Sequence, residues 1–206
     1  MIAIKTAVEL ERDFDNFFNG IGYKKVTDIV GSPHFENSDY IDLEQKITIE
    51  LKVIDKDFFN EGGIIHRLKT IVTVPKNIDE EGFGQYEFTV PPKNREGISD
   101  SIEEPLRRTI KKANRQLKET KNKLMEGNGI GFLLIALNIR TSIDPEKFRE
   151  LTGDILSREF SSINGFIICT PTWGAYNPMT GSEHPLCLPT TPFGAPNYIR
   201  QACLDI

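Results

Sequence analysis

Residues 132–138, Phe-Leu-Leu-Ile-Ala-Leu-Asn, form an apolar run that restricts the fold more than any other stretch of the chain. A strand of this composition has no polar face that could be exposed to solvent. Such runs are typical of strands that are buried on both faces of a sheet. Asp144 can cap a following helix that begins at Pro145, and residues 166–169 give a second buried strand. This order predicts a right-handed βαβ unit with parallel strands. The inner face of its helix is predicted to hold Phe148, Leu151, Ile155 and Phe160.

The spacing of apolar residues predicts two further helices. Residues 6–19 place apolar side chains three and four positions apart, and glycines end the pattern. The other helix is predicted to begin at Ser101, which has capping-box spacing to Glu104, with Pro105 in the first turn. Its apolar repeat ends at residues 127–129, Gly-Asn-Gly.

The longer of these helices is basic. Residues 102–126 include eight basic and four acidic side chains, so the segment carries +4 while the rest of the chain carries −9. This asymmetry favours a polyanionic partner. A solvated helix face explains the same charges equally well.

The composition indicates a single large globular domain without membrane segments. The chain has 206 residues, of which 38% are hydrophobic and 27% charged. Its longest apolar run, residues 129–139, is too short to span a bilayer, and three cysteines without a C-x-x-C pair fit a reducing compartment. We therefore expect a cytoplasmic protein with no membrane partner. His184 and Cys187 have a ligand-like gap, but no second pair completes a zinc site, and we interpret them as structural.

Strands are also predicted at residues 23–30, 64–74 and 85–90, which are rich in β-branched residues or alternate in polarity. A helix over the first half of residues 64–74 is the alternative interpretation of that segment. Six of the twelve prolines fall in the final 36 residues. We therefore expect a core of residues 1–170 and an irregular, Pro-rich C-terminal extension, residues 171–206, that packs on it.

Residues 38–52 predict a hairpin that carries the chemically informative side chains. Apolar and polar residues alternate along its second strand, so Glu50 and Lys52 leave the same face. Asp39 and Asp42 lie on its first strand. Carboxylates gathered beside a lysine can hold a divalent cation and activate a water. A surface hairpin with a cross-strand ion pair is the alternative interpretation.

The order of helix, hairpin, strand, long helix, strand, helix and strand resembles the PD-(D/E)xK nuclease superfamily. The motif residues correspond to Ser38-Asp39 and Glu50-Leu51-Lys52, with Ser38 in place of the proline. The resemblance covers about residues 7–170. It implies an α/β, restriction-endonuclease-like fold: a mixed β-sheet flanked by helices, in αβββαβαβ order.

Two helices add to this resemblance. Residues 10–14, Leu-Glu-Arg-Asp-Phe, look like the first helix of archaeal Holliday-junction resolvases, in which the glutamate helps to bind metal; Glu11 is the matching position. Gln116 and Leu117 resemble the Gln-Leu element of several nucleases of this type, whose polar side chain approaches the active site.

The family resemblance implies a Mg²⁺-dependent (or Mn²⁺-dependent) nuclease that hydrolyses DNA phosphodiester bonds. Asp39 and Glu50 would hold the metal, with the carbonyl of Leu51 completing the site. Lys52 would position or deprotonate the attacking water, and Glu11 would bind a second metal or orient a water. The residues predicted to contact the nucleic acid are Arg108, Lys112, Arg115 and Gln116.

The register of the hairpin leaves the metal ligand open. With a two-residue loop at residues 44–45, Asp39 faces Glu50. With a turn one residue longer, Asp42 shares the face of Glu50 instead, because a one-residue slip exchanges the two faces. The longer turn sorts the apolar residues more cleanly, whereas Asp39 lies at the distance from Glu-x-Lys that fits the family better.

Two alternatives to a nuclease also remain open. A catalytically inactive member of the same fold would serve as a nucleic-acid-binding or protein-interaction module, in keeping with the net charge of −5 and the missing proline. An unrelated α/β binding protein would carry the hairpin charges as surface pairs only. The sequence does not decide between DNA and RNA, or between a monomer and a homodimer.

Overall fold

A computed structural model of the chain describes residues 6–54, 95–138, 145–177, 182–191 and 197. The strands predicted at residues 64–74 and 85–90, and the capping role of Asp144, lie outside these ranges. No helix within the described ranges is long and apolar enough to cross a membrane.

The described residues form four helices and six strands. The helices are α1 (Ala7–Gly20), α2 (Val26–Val30), α3 (Arg95–Leu124) and α4 (Pro145–Glu159). The strands are β1 (Lys24–Lys25), β2 (Tyr40–Asp42), β3 (Ile47–Ile54), β4 (Ile130–Leu137), β5 (Gly165–Asn177) and β6 (Ser182–Thr190).

All six strands join one mixed sheet in the order β1-β2-β3-β4-β5-β6. Strands β3, β4 and β5 are parallel, whereas β1, β2 and β6 pair antiparallel with their neighbours. The parallel pairing of β4 with β5 across α4 confirms the predicted strand, helix and strand order. The apolar run forms β4, which has strands on both sides and is buried from Gly131 to Leu137.

One face of the sheet packs against α1. Leu10 and Phe18 of α1 meet alternate side chains of β3 and β4, among them Ile49 and Phe132. The helix begins where it was predicted to begin. Thr6 and Glu9 form a capping box there, which was not predicted and which satisfies backbone N–H groups that the first turn leaves free. Gly22, with φ of 97°, then reverses the chain toward the sheet.

The opposite face of the sheet packs against α3 and α4. The apolar residues of α3 belong to one cluster with Ile54 of β3 and with side chains of β4 and β5, namely Leu133, Ile135, Leu137, Phe166 and Ile168. Because β3 side chains alternate, Thr48, Glu50 and Lys52 point to this α3 side. The buried α3 and α4 residues are Leu106, Ile110, Ala113, Leu117, Phe148 and Ile155.

The strand predicted at residues 23–30 is wrong over most of its length. Only Lys24–Lys25 pair with β2, and Val26–Val30 form the short helix α2. The β-branched residues of this segment favour a strand locally, but tertiary contacts override that preference. Val26 is fully buried against Ile41 and Met125, and its N–H donates to the carbonyl of Asp39 at 3.0 Å.

The predicted start of the long helix is also wrong, because α3 begins at Arg95 and runs through Pro105. Proline removes one backbone hydrogen bond of a helix but does not have to end it. The residues that follow, from Leu106 to Leu117, pack against the sheet and stabilise the helix after the proline.

The C-terminal segment is not irregular throughout, as the sequence suggested. Strand β5 continues to Asn177, and β6 forms an antiparallel partner for it. Pro185 and Pro189 lie in β6, and a strand that is paired on one side only is where sheets tolerate proline. Within the described residues β6 pairs only with β5, and Pro171 lies in a register shift between Thr170 and Gly174, beyond the last β4 pairing.

Candidate functional site

Asp39 lies beside Glu50 at the start of the hairpin. Tyr40 pairs with Ile49, which is the register expected for a two-residue loop. The N–H of Asp39 donates to the carbonyl of Ile49 at 3.1 Å, and its carboxylate accepts the N–H of Leu51 at 2.8 Å. These two hydrogen bonds are made to the residues on either side of Glu50, so Asp39 lies next to Glu50.

Asp42 occupies a different place. Its carboxylate accepts the backbone N–H groups of Glu44 at 2.9 Å and Gln45 at 3.0 Å, as aspartates often do in turns. It pairs with Ile47, three residues before Glu50. The observed register therefore joins Asp39, and not Asp42, to Glu50.

Glu50 is a buried carboxylate with one unpartnered oxygen. Its side chain is 1% exposed, and one oxygen, Oε1, pairs with the ammonium of Lys52. The other oxygen, Oε2, has no hydrogen-bond partner among the described residues. Burial, reinforced by the charge of Asp39, raises the pKa of Glu50 to about 8 although Lys52 acts in the opposite direction. One buried carboxylate oxygen of the site therefore lacks a hydrogen-bond donor among the described residues.

The pKa of Asp39 is raised for the same main reason, which is burial. The N–H of Leu51 and the charge of Lys52 oppose this rise, whereas the charge of Glu11 adds to it. Glu11 is exposed on α1, and it acts on Asp39 through its charge. No group of three or more His, Cys, Asp or Glu side chains able to hold a metal occurs within the described ranges. The role predicted for Glu11 stays a prediction.

Gln116 of α3 fixes the position of Lys52. The ammonium of Lys52 donates to Oε1 of Gln116 at 3.0 Å, and Nε2 of Gln116 donates to the carbonyl of Asn37 at 2.9 Å. Gln116 thus connects the lysine to the loop that carries Asp39. It was predicted both to approach the active site and to contact nucleic acid; the structure places it beside Lys52.

A buried cluster of hydroxyl groups lies next to these residues and was not predicted. The N–H of Ser38 donates to Oγ1 of Thr120 at 2.9 Å, and the Ser38 hydroxyl contacts both Thr120 and Thr48. All three residues are fully buried. The cluster anchors the residue before Asp39 to α3. The sequence signal was only that Ser38 replaces the motif's proline.

The three basic residues of α3 that were predicted to contact nucleic acid differ in whether they already have an ion-pair partner. Arg108 pairs with Glu104 at 2.8 Å and Arg115 pairs with Glu36. Lys112 is exposed, lies one turn before Gln116, and its charge slightly lowers the pKa of Glu50. Among the described residues it has no ion-pair partner.

One of the eight basic residues of α3 is structural. Lys121 is buried and donates to the carbonyl of Ser162 at 2.8 Å and to the Asn164 side chain at 3.3 Å. Burial lowers its pKa. It is therefore not available to a polyanionic partner.

Two carboxylates, a half-buried lysine and a glutamine thus meet where β3 faces α3. This combination suits binding of a hard cation next to an ammonium group. The chain matches no protein-family model, no curated protein and no solved structure.

Proposed function

We propose that the chain is a metal-dependent nuclease of the PD-(D/E)xK type that hydrolyses DNA phosphodiester bonds. Asp39, Glu50 and Lys52 are its central residues. The observation that carries the proposal is the buried, unpartnered Oε2 of Glu50 beside a second, partly buried carboxylate, that of Asp39. A buried carboxylate oxygen without a partner is costly, and two neighbouring carboxylates raise that cost.

A divalent cation bound by Asp39 and Glu50 would compensate this cost. Mg²⁺ is usually held by one or two carboxylates while it keeps several waters, so two carboxylates suffice as protein side-chain ligands. The residues present therefore fit Mg²⁺ or Mn²⁺. When bound, the ion supplies charge stabilisation at the scissile phosphate and activation of a water.

Lys52 supplies a positive charge at a fixed position. Its bonds to Glu50 and Gln116 restrain a flexible side chain that is 18% exposed. A restrained donor costs little reorganisation when negative charge develops on a phosphate oxygen. Lys52 would also accept or release the proton of an attacking water, since a lysine within hydrogen-bond reach is a suitable general acid or base.

The exposed side of α3 would meet the nucleic-acid backbone. Lys112 lies one turn from Gln116, so a phosphate contact there would be close to the catalytic lysine. Arg108 and Arg115 lie on the same helix, and their present carboxylate partners, Glu104 and Glu36, are themselves partly exposed. Phosphate contacts of this kind give affinity without sequence preference.

A cleavage assay tests the proposal. Supercoiled, linear and branched DNA are incubated with the protein and Mg²⁺ or Mn²⁺, with EDTA as a blank and single-stranded RNA as a second substrate. The wild type is expected to cleave DNA, and Lys52→Ala to lose the activity while Lys118→Ala, an exposed α3 lysine, retains it. No cleavage of any substrate, or undiminished cleavage by Lys52→Ala, would contradict the proposal.

A non-catalytic nucleic-acid-binding protein is a second candidate. The direct ion pair between Lys52 and Glu50 favours it, because the ammonium satisfies one carboxylate oxygen without a metal. Metal-independent DNA binding without cleavage in the same assay would select this candidate.

A further inference from the structure

Cys169 of β5 and Cys187 of β6 face each other across the last strand pair of the described sheet. They are register partners in the antiparallel pair β5–β6, between the pairs Ile168–Leu188 and Thr170–Leu186. Their sulfur atoms lie 2.7 Å apart. Directly opposed residues of antiparallel strands have Cα separations of about 4.5–5.5 Å, within the range that disulfides span. The backbone therefore already has the geometry of a cross-strand disulfide.

The two thiols differ in access to solvent. Cys187 is exposed on β6, whereas Cys169 is 5% exposed and belongs to the core on the α1 side. The hydrogen bond between them lowers the pKa of Cys187 and raises that of Cys169, and burial raises the latter further. Thiolates attack disulfides, so the accessible Cys187 suits the attacking role and Cys169 the resolving role.

We propose that Cys169 and Cys187 form a reversible cross-strand disulfide by exchange with a low-molecular-weight disulfide such as oxidised glutathione. The Cys187 thiolate attacks one glutathione sulfur, which breaks the glutathione S–S bond and releases one glutathione thiolate. The Cys169 thiolate then attacks the Cys187 sulfur, and the second glutathione thiolate leaves. Two protein thiols are oxidised, one glutathione disulfide is reduced, and the two thiol protons pass to the departing thiolates.

The bond would fasten β6 to the sheet. Cys169 occupies the last row in which β5 pairs with β4, opposite Ala136, so the link ties the edge strand to the part of β5 that the core holds. Because Cys169 faces α1 whereas Glu50 and Lys52 face α3, the disulfide lies on the other side of the sheet from the candidate metal site. Its formation therefore does not depend on nuclease activity.

The test uses the full chain in glutathione buffers of graded redox potential, followed by alkylation and peptide mapping. Cys203→Ser provides the background, because it leaves Cys169 and Cys187 as the two cysteines of the chain. We expect a peptide pair linked through Cys169 and Cys187 in oxidising buffer, and we expect this linked pair to disappear in reducing buffer. Oxidation is expected to raise the melting temperature by about 5 °C. The melting temperature of Cys187→Ser is expected to stay unchanged under the same conditions.

Two single variants test the order of attack. Cys169→Ser is expected to accumulate glutathione on Cys187, and Cys187→Ser to leave Cys169 free in the folded state. The proposal is overturned if both thiols are still alkylated when the reagent is added with denaturant to a sample that stayed folded in oxidising buffer. Faster glutathionylation of Cys169 than of Cys187 would overturn the assigned roles.

Discussion

The carboxylate of Asp39 accepts the backbone N–H of Leu51 at 2.8 Å, and this hydrogen bond joins the segment before β2 to the middle of β3. Glu50 is the residue before Leu51, so the bond holds one acidic side chain next to another. Burial raises the pKa of both. Neighbouring carboxylates in a poorly solvated place are relieved either by a proton on one of them or by a bound cation, and the second possibility is the physical basis of the proposed cation site.

Gln116 is expected to act by positioning Lys52. Gln116→Ala removes the hydrogen bonds to Lys52 and to the carbonyl of Asn37. We expect cleavage to fall by about 10–100-fold, as for the loss of partners that orient a catalytic group. The measurement is the single-turnover cleavage rate at saturating Mg²⁺, with Lys118→Ala as the matched control on α3. Equal rates for both variants and the wild type would contradict the positioning role.

Thr120 is expected to stabilise the loop that carries Asp39. In Thr120→Val the buried N–H of Ser38 loses its acceptor, which costs on the order of 1–3 kcal/mol. Thr120→Ser keeps the hydroxyl and serves as the control. Urea unfolding measures the difference in the free energy of unfolding. If the two variants are equally stable, the hydroxyl cluster does not anchor this loop.

Glu50 is expected to make the metal-free protein less stable as pH rises. Its pKa is about 8 in the folded state against an ordinary value of 4.5, so the folded state keeps a proton that the unfolded state loses between these values. The stabilising contribution is complete below pH 4.5 and is lost as pH rises to about 8, with a slope of at most about 1.4 kcal/mol per pH unit. Asp39 acts in the same direction.

Urea unfolding in EDTA at pH 5, 7 and 9 measures this dependence. Glu50→Gln, which cannot ionise, is expected to show a flatter profile and higher stability than the wild type at pH 9. Parallel profiles for the two proteins would show that Glu50 does not hold its proton in the folded state.

Lys112 is expected to contact phosphate. Lys112→Ala should weaken DNA binding uniformly across sequences and reduce the slope of log affinity against log salt by about 1. Lys118, about 120° around the helix, provides a control of equal charge change. Fluorescence anisotropy at several salt concentrations measures both slopes. An identical loss of slope in the two variants would indicate general electrostatics rather than a contact at Lys112.

The parts of the fold that could be predicted are those with a strong periodic pattern. The β2–β3 register is not among them, because the alternation of polarity favours the longer turn and only the family distance of Asp39 favours the observed register. Strand β4 follows from its apolar run, and α1 follows from its apolar spacing and the glycines that end it. These patterns are local consequences of burial on one or two faces. In the structure β4 is a strand of the mixed six-stranded sheet, and α1 packs on one face of that sheet.

The features that could not be predicted depend on distant contacts. Helix α2 forms where Val26 is buried against Met125, although its residues favour strand. Strand β6 tolerates its prolines because only β5 pairs with it among the described strands, a position that composition does not show. Likewise, the contact of Thr120 with Ser38 joins residues 82 positions apart.

A Mn²⁺ titration followed by calorimetry at pH 8 tests the proposed cation site most directly. It compares the wild type with Asp39→Asn, Glu50→Gln and, as the matched control, Asp42→Asn, whose carboxylate lies in the hairpin turn. The proposed site predicts binding by the wild type and by Asp42→Asn, and its loss in the other two variants. Absence of binding by the wild type, or equal binding by all four proteins, would contradict it.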